Sequence, residues 1–357
     1  MSDALANGLA GAGGGIIAQI LTYPLQTMIT RQQTERSKKK DKPIQRTSTI
    51  VQILQVIENE GLRGLYSGFT PSLLGTAVSQ GVYYYFYQVF KNRAEKIAAS
   101  KKARGNGDGS IGMFSWLVVA ALAGSLNVLL TNPIWVIVTR MQTQAQAVKK
   151  MDEGKRELLL MDETSKESAE MQTLQAETPS DSFGKATPYG TMEAVQDVYN
   201  ESGVFGFWKG LIPTLIMVCN PSIQFMIYET SLKHLNSKRQ KRNSVSEKAT
   251  AIEVFLLGAA AKMGATLSTY PLLVVKSRLQ AKQVIGGSSS LRYSGTIDAI
   301  GKIIRHEGLS SFYKGMGPKI VQSVFSAAVL FMIKEELVKM FLLFSSSTKS
   351  LLSKTTP

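Results

Sequence analysis

Cysteine is nearly missing from this 357-residue chain: Cys219 stands alone, so no internal disulfide can form. Histidine occurs twice, at His234 and His306, and neither joins a Ser, Cys or carboxylate pattern. Triad chemistry and zinc binding need such groupings, so neither a catalytic site nor a metal site is expected. The opening residues, MSDALANGLAG, carry no basic stretch, and a cleaved targeting peptide is not expected there. Charge is missing too, over long runs. Ala4–Thr30, Phe69–Phe90, Ile111–Thr139 and Gly210–Tyr228 contain no Asp, Glu, Lys or Arg. At 19 to 29 residues, each is long enough to cross a hydrocarbon layer as a helix.

What is present is positive charge, with 41 Lys+Arg against 26 Asp+Glu for a net +15. Such an excess suits an anionic membrane surface, anionic small solutes or nucleic acid. The mean hydropathy of +0.01 conceals how unevenly the apolar residues lie. Two weaker runs join the four uncharged ones: Val254–Lys276, interrupted by Lys262, and Ile320–Ile333, which ends at Lys334. Six candidate spans result, separated by basic connections. Their Gly, Ser, Thr, Gln and Tyr content suits helices packed around a wet interior. One basic connection, Lys238–Arg242, reads as facing headgroups or an approaching anion rather than nucleic acid.

A repeat organises these spans. TYPLQTMITRQQ at Thr22–Gln33 recurs as TNPIWVIVTRMQ at Thr131–Gln142 and TYPLLVVKSRLQ at Thr269–Gln280. In each, Arg follows Pro by seven residues and Gln by nine: Pro24/Arg31/Gln33, Pro133/Arg140/Gln142 and Pro271/Arg278/Gln280. A second signature follows each first one, as EGLRGLYSG, SGVFGFWKG and EGLSSFYKG. The distance from Pro to the first glycine of that signature is 37 residues in the first and third copies and 70 in the second. The second copy therefore carries an insertion, roughly Lys149–Lys185. With nine acids, six bases and little apolar periodicity, it is expected to be disordered.

These residues resemble the mitochondrial carrier family, whose repeats carry P-x-[D/E]-x-x-[K/R]-x-[K/R] followed by an aromatic-x-Gly. QGVYYYFYQVF, NPSIQF and FMIKEELVK are similar to members of that family from peroxisomes that carry nucleotides. The resemblance runs from about Ala4 to Phe344. It implies an all-α membrane protein with six transmembrane helices in three tandem two-helix repeats around a central cavity, plus short surface helices. Repeat one would occupy 1–98, repeat two 111–236 with its insertion at 149–185, repeat three 250–344, and a C-terminal tail 345–357. Pro24, Pro133 and Pro271 would kink the odd helices inward to close one end of the cavity, since proline removes a helical hydrogen bond.

In the family, the acid two residues after each proline pairs with the base five after the next, and the three pairs close that end. Here the acidic positions hold Gln26, Trp135 and Leu273, and the basic ones Ile29, Val138 and Lys276. All three acids are absent and one base remains. A Trp135–Lys276 cation–π contact of about 0.5–2 kcal/mol is the one polar pairing expected. The opposite gate normally carries [F/Y]-[D/E]-x-x-[K/R] on each even helix. Gln88 replaces the acid and Lys91 keeps the base on the second helix. Glu229 keeps the acid on the fourth, and Lys334 stands in the acidic position on the sixth.

The resemblance also implies which positions meet substrate. On even helices they fall seven and eight residues past the aromatic-x-Gly glycine: Gly75 with Thr76, Met217 with Val218, and Gln322 with Ser323. On odd helices Gln19, Lys262 and Thr266 point inward. Lys262 precedes Leu273 by 11 residues, which is about 20° around a helix. Tyr83, with Tyr84 and Tyr85, offers either stacking to a base or packing against lipid. Arg31, Arg140 and Arg278 serve either as a positive floor or as structural links. GAGGG at Gly11–Gly15 lacks the third glycine of a dinucleotide fingerprint and lies in an uncharged helical run, so it reads as a helix-packing element.

The function implied is an antiporter with no cofactor, exchanging NAD for AMP or a related adenine nucleotide by alternating access. It would act as a monomer in the lipid bilayer of the peroxisome, with the mitochondrial inner membrane as the alternative, and without nucleic acid as a partner. Another adenine-containing anion (ATP, coenzyme A or FAD) and a non-transporting membrane scaffold stay open as alternatives.

Overall fold

The computed structural model describes residues 2–35, 48–104, 112–166, 189–240, 250–281, 293–326 and 329. Among these residues the regular structure is helical, with no strand. The helices are α1 (Ser2–Thr34), α2 (Thr49–Leu65), α3 (Phe69–Ala103), α4 (Met113–Lys166) and α5 (Thr191–Ser202). They continue as α6 (Leu211–Met217), α7 (Asn220–Gln240), α8 (Ala251–Gln280), α9 (Thr296–His306) and α10 (316–326), with 3-10 turns at Val204–Trp208 and Leu309–Tyr313. Two stretches among the described residues, Met113–Val148 and Val204–Lys238, are long and apolar enough to cross a membrane. Their apolar windows are only 17% and 11% buried by protein, unlike the core helix of a soluble domain.

The chain divides into two compact units. The first comprises residues 1–32, 44–67 and 315–357, and its core is Met28, Val56 and Leu65 with Ile53 against them. The second comprises residues 33–43 and 68–314, where α3 packs along α4, and α6 and α7 pack along α8. Its apolar core gathers Val275, Leu279, Tyr293, Ala299, Ile303 and Phe312.

Pro24, Pro133 and Pro271 lie inside α1, α4 and α8. A proline has no N–H for the carbonyl four residues back, so Ile20 and Leu129 lose their helical donors. Tyr66 Oη donates to the Ile20 carbonyl at 3.3 Å, and Trp208 Nε1 donates to the Leu129 carbonyl at 3.0 Å. Both donors are the aromatic of the aromatic-x-Gly signature. The residue before each proline binds the second signature as well. Tyr23 Oη reaches the Ser67 carbonyl at 2.9 Å, Asn132 Nδ2 the Lys209 carbonyl at 3.3 Å, and Tyr270 Oη the Lys314 carbonyl at 3.0 Å. The two signatures are therefore two halves of one contact.

The first and last glycines of the three second signatures, six in all, have positive φ. At Gly210, φ +74°, an added Cβ would also sit 3.2 Å from the Lys276 carbonyl oxygen. Only glycine fits that turn without strain.

Two features depart from the sequence reading. The insertion expected to be disordered over 149–185 is helical as far as Lys166, continuing α4. The Lys, Glu, Arg, Leu and Met content of 149–166 favours helix even without an apolar face; residues 167–185 lie outside the described residues. The fourth span is broken, with α6 ending at Met217 and α7 starting at Asn220. Pro221 supplies no N–H there, and Val218 and Cys219 bond three residues back, to Leu215 and Ile216, in a tightened turn. Lys334, the sixth-helix gate register, the 345–357 tail and Arg242 also lie outside the described residues.

Candidate functional site

The proline-side ends of the odd helices carry a buried polar network where the family pattern has ion pairs. Gln33, at the end of α1, donates from Nε2 to Tyr270 Oη at 3.2 Å and accepts from Ser277 Oγ at 2.8 Å. Arg278 Nε donates to the Gln33 carbonyl at 2.9 Å. The pattern repeats one helix on. Gln280 Nε2 donates to Asn132 Oδ1 at 3.3 Å, its Oε1 lies 3.2 Å from Thr139 Oγ1, and Arg140 Nε donates to its carbonyl at 2.9 Å. The end of α1 is thus bound to α8, and the end of α8 to α4, by neutral amides, hydroxyls and backbone carbonyls.

Each repeat arginine is neutralised from its own repeat. Arg31 forks onto Glu60 of α2, with NH1–Oε1 and NH2–Oε2 both 2.7 Å. Arg278 forks onto Glu307, with NH2–Oε2 at 3.0 Å. Arg140 meets Glu201 of α5 as an ion pair at 2.5 Å, and Lys209 Nζ binds the other oxygen of Glu201 at 2.8 Å. These paired guanidiniums tie odd helices to surface helices, the structural one of the two roles the sequence left open. The sequence reading overlooked the glutamates, although each stands one or two residues before a signature glycine.

Burial by itself would raise the Glu201 carboxyl, but Arg140 and Lys209 outweigh it and hold it below the ordinary glutamate range. A carboxylate so lowered stabilises the fold fully above its unfolded value and loses that contribution as pH falls through the folded one. Glu201→Gln is therefore expected to be less stable than wild type at neutral pH and to lose less on acidification below about pH 4.3. Thermal midpoints at stepped pH report this; parallel curves for the two proteins would refute it.

The positions implied to line the proline-side gate differ in burial. Ile29 and Val138 are buried, while Gln26, Trp135, Leu273 and Lys276 are half-buried. The cation–π geometry present among the described residues is Lys91 over Trp116, not a Trp135–Lys276 contact. Among the positions implied for the opposite gate, Gln88 Nε2 donates to Asn92 Oδ1 at 2.9 Å, Lys91 lies 3.8 Å from Glu95, and Glu229 is half-buried.

The implied substrate positions fall into distinct settings. Gly75 is buried against α4, where an added Cβ would come within 2.9 Å of Ile134 Cγ2 and 3.9 Å of Trp135 Cε2. Thr76 and Thr266 donate to the carbonyls of Ser72 and Lys262 on their own helices, at 2.9 and 2.8 Å. Lys262 itself is exposed, and Gln19 is half-buried. Met217 ends α6 and Val218 sits in the break, its Cγ1 2.8 Å from where a Cβ on Gly124 of α4 would fall. Gln322 is buried and accepts from Lys319 Nζ at 3.0 Å, while Ser323 is exposed and donates to the Lys319 carbonyl. Tyr83 stacks on Tyr87 at 5.9 Å. Sequence reading missed Asn220, which crosses from the break to α8 and donates to the Ala265 carbonyl and to Thr269 Oγ1, at 3.2 and 2.7 Å. The Asn-Pro pair was the available signal.

Comparison with known proteins adds an independent finding. A family model described as mitochondrial carrier protein matches residues 2–97, 110–239 and 247–345. The peroxisomal nicotinamide adenine dinucleotide carrier of Arabidopsis thaliana is 59% identical over 98% of this chain and all of its own length. Mitochondrial substrate carrier family protein Q of Dictyostelium discoideum is 34% identical, covering 94% of this chain and 88% of that protein. Folate transporter 1, chloroplastic, of Arabidopsis thaliana is 30% identical, covering 94% of each chain.

Proposed function

Because this chain belongs to the mitochondrial carrier family, we propose that it is a multi-pass peroxisomal membrane antiporter exchanging NAD for AMP or a related adenine nucleotide. The observation that carries this reading is 59% identity over 98% of the chain to a peroxisomal NAD carrier. Six membrane helices in three repeats surround a central cavity that opens to one side at a time. The protein moves its substrate without making or breaking a bond in it.

The closed proline-side end rests on the amide and hydroxyl contacts of Gln33 and Gln280 rather than on ion pairs. Each such hydrogen bond contributes about 0.5–1.5 kcal/mol net, so opening costs less than separating three buried charge pairs. Binding at the cavity offsets that cost only through differential affinity for the two facing states. With Arg31, Arg140 and Arg278 each committed to a glutamate, Lys262 is the cation assigned to a pyrophosphate.

The test is uptake of labelled NAD into liposomes holding purified protein and preloaded with AMP, NAD, ATP, coenzyme A, FAD or nothing. Uptake that requires internal AMP or NAD is the expected result. Uptake supported only by ATP, coenzyme A or FAD moves the substrate within the same fold, and no uptake under any load overturns transport.

A further inference from the structure

On α3, Tyr83, Tyr87, Lys91 and Glu95 follow at four-residue steps and so share one row on the helix surface. Trp116, near the start of α4, stands beside that row. Tyr87 stacks on Tyr83 at 5.9 Å and on Trp116 at 6.4 Å, with interplanar angles of 21° and 26°. Lys91 Nζ lies 5.8 Å from the centroid of Trp116 and 3.8 Å from Glu95 Oε1. Gln88, in the family's acidic position, turns along its own helix to Asn92. Among the described residues no cation is within ion-pair distance of Glu229 on α7. The one charge that α3 brings to this gate is thus held on its own side, by a neighbouring ring and by the next acid of its row.

We propose that Trp116 is a positioning residue of the transport cycle: its ring holds Lys91 aside while this end is open. Closing the end requires Lys91 to leave the ring for an acid on another even helix, Glu229 of α7. Gln88 carries no charge and turns along its own helix to Asn92, so Lys91 is the charge that α3 offers for closure. A lysine suits the part, because a compact ammonium on a flexible stem can change partners where an arginine fork would stay bound. Lys91 and Trp116 are half-buried, and a cation–π contact at the weak end of its range shifts the open-to-closed equilibrium about two- to fivefold. The inference rests on the transport reading above.

The experiment is NAD–NAD exchange in liposomes by wild type, Trp116→Leu, Trp116→Phe, Lys91→Gln and the Trp116→Leu/Lys91→Gln double variant, with half-saturation measured separately on each face. Removing the ring favours the closed end. Trp116→Leu should therefore raise the half-saturating NAD concentration on the face this end opens to, about two- to fivefold, and lower it on the other. Trp116→Phe should restore both values, and in the Lys91→Gln background Trp116→Leu should add nothing. A lost packing contact would instead move both faces together, act additively with Lys91→Gln and affect phenylalanine as well. Any of these results, in vesicles where wild type exchanges NAD, overturns the proposal alone. Vesicles where wild type exchanges nothing overturn it together with the transport reading.

Discussion

Replacing Arg278 with methionine is expected to lower stability by about 3–5 kcal/mol, because the substitution leaves a buried carboxylate without its partner. The guanidinium of Arg278 is fully buried and the Glu307 side chain is 5% exposed. Arg278 also donates to the Gln33 carbonyl, so one truncation strips an acid of its fork and a carbonyl of its donor, while the Glu35 carbonyl keeps Lys314 Nζ at 3.1 Å. Lys314 approaches Glu307 at 3.5 Å but is a weak substitute. Burial holds its ammonium below the ordinary lysine range despite that acid. The thermal midpoint of purified protein, followed by tryptophan fluorescence, should fall by about 5–10 °C. Adding Glu307→Leu should recover most of the loss, since replacing both members of a buried pair by apolar residues is often close to neutral. A midpoint within 1–2 °C of wild type, or about 0.5 kcal/mol, would show that the fork is not what holds α8 to its surface helix.

Trp135→Asp is expected to slow exchange by roughly ten- to a hundredfold. The substitution restores the acid that the family pattern opposes to Lys276. A charge-assisted hydrogen bond contributes about 1.5–3 kcal/mol, and each 1.4 kcal/mol added to the barrier is about tenfold in rate. Both positions are half-buried, so solvent screens the new pair only in part. Lys276→Ala in the aspartate background should lift the brake, which separates a tightened gate from a misfolded one. An unchanged rate in Trp135→Asp would mean that this end does not limit the cycle.

Much of this arrangement was legible in the residues. The three prolines, their arginines at +7 and glutamines at +9, and the paired glycines fixed the repeats, and the structure puts both signatures in direct contact. What escaped was partner choice. Gln33 and Gln280 each stand nine residues after a proline, but nothing in spacing says that one seeks Tyr270 and Ser277 and the other Asn132 and Thr139. The break at Val218–Cys219 lies in an uncharged run, where apolarity outweighed the warning of Asn220-Pro221. The extension of α4 to Lys166 was hidden for the opposite reason: helix propensity leaves no mark on a segment judged by apolar periodicity. Trp116 drew no attention because a single aromatic at a helix start has no pattern of its own.

The aromatic donors that reach the Ile20 and Leu129 carbonyls bear on how such a chain is made. Hydrocarbon offers no water to a bare carbonyl, so a bent span entering the bilayer needs a substitute donor soon after it is synthesised. Tyr66 and Trp208 supply one from within the same repeat, 46 and 79 residues downstream of the carbonyls they serve. A nascent repeat can settle its own bend before its successor leaves the ribosome. The bonds from Gln33 to α8 and from Gln280 to α4 link different repeats and cannot form until α8 has been synthesised. Assembly then has an order: each bend can be settled within its own repeat, and the bonds of Gln33 and Gln280 form last.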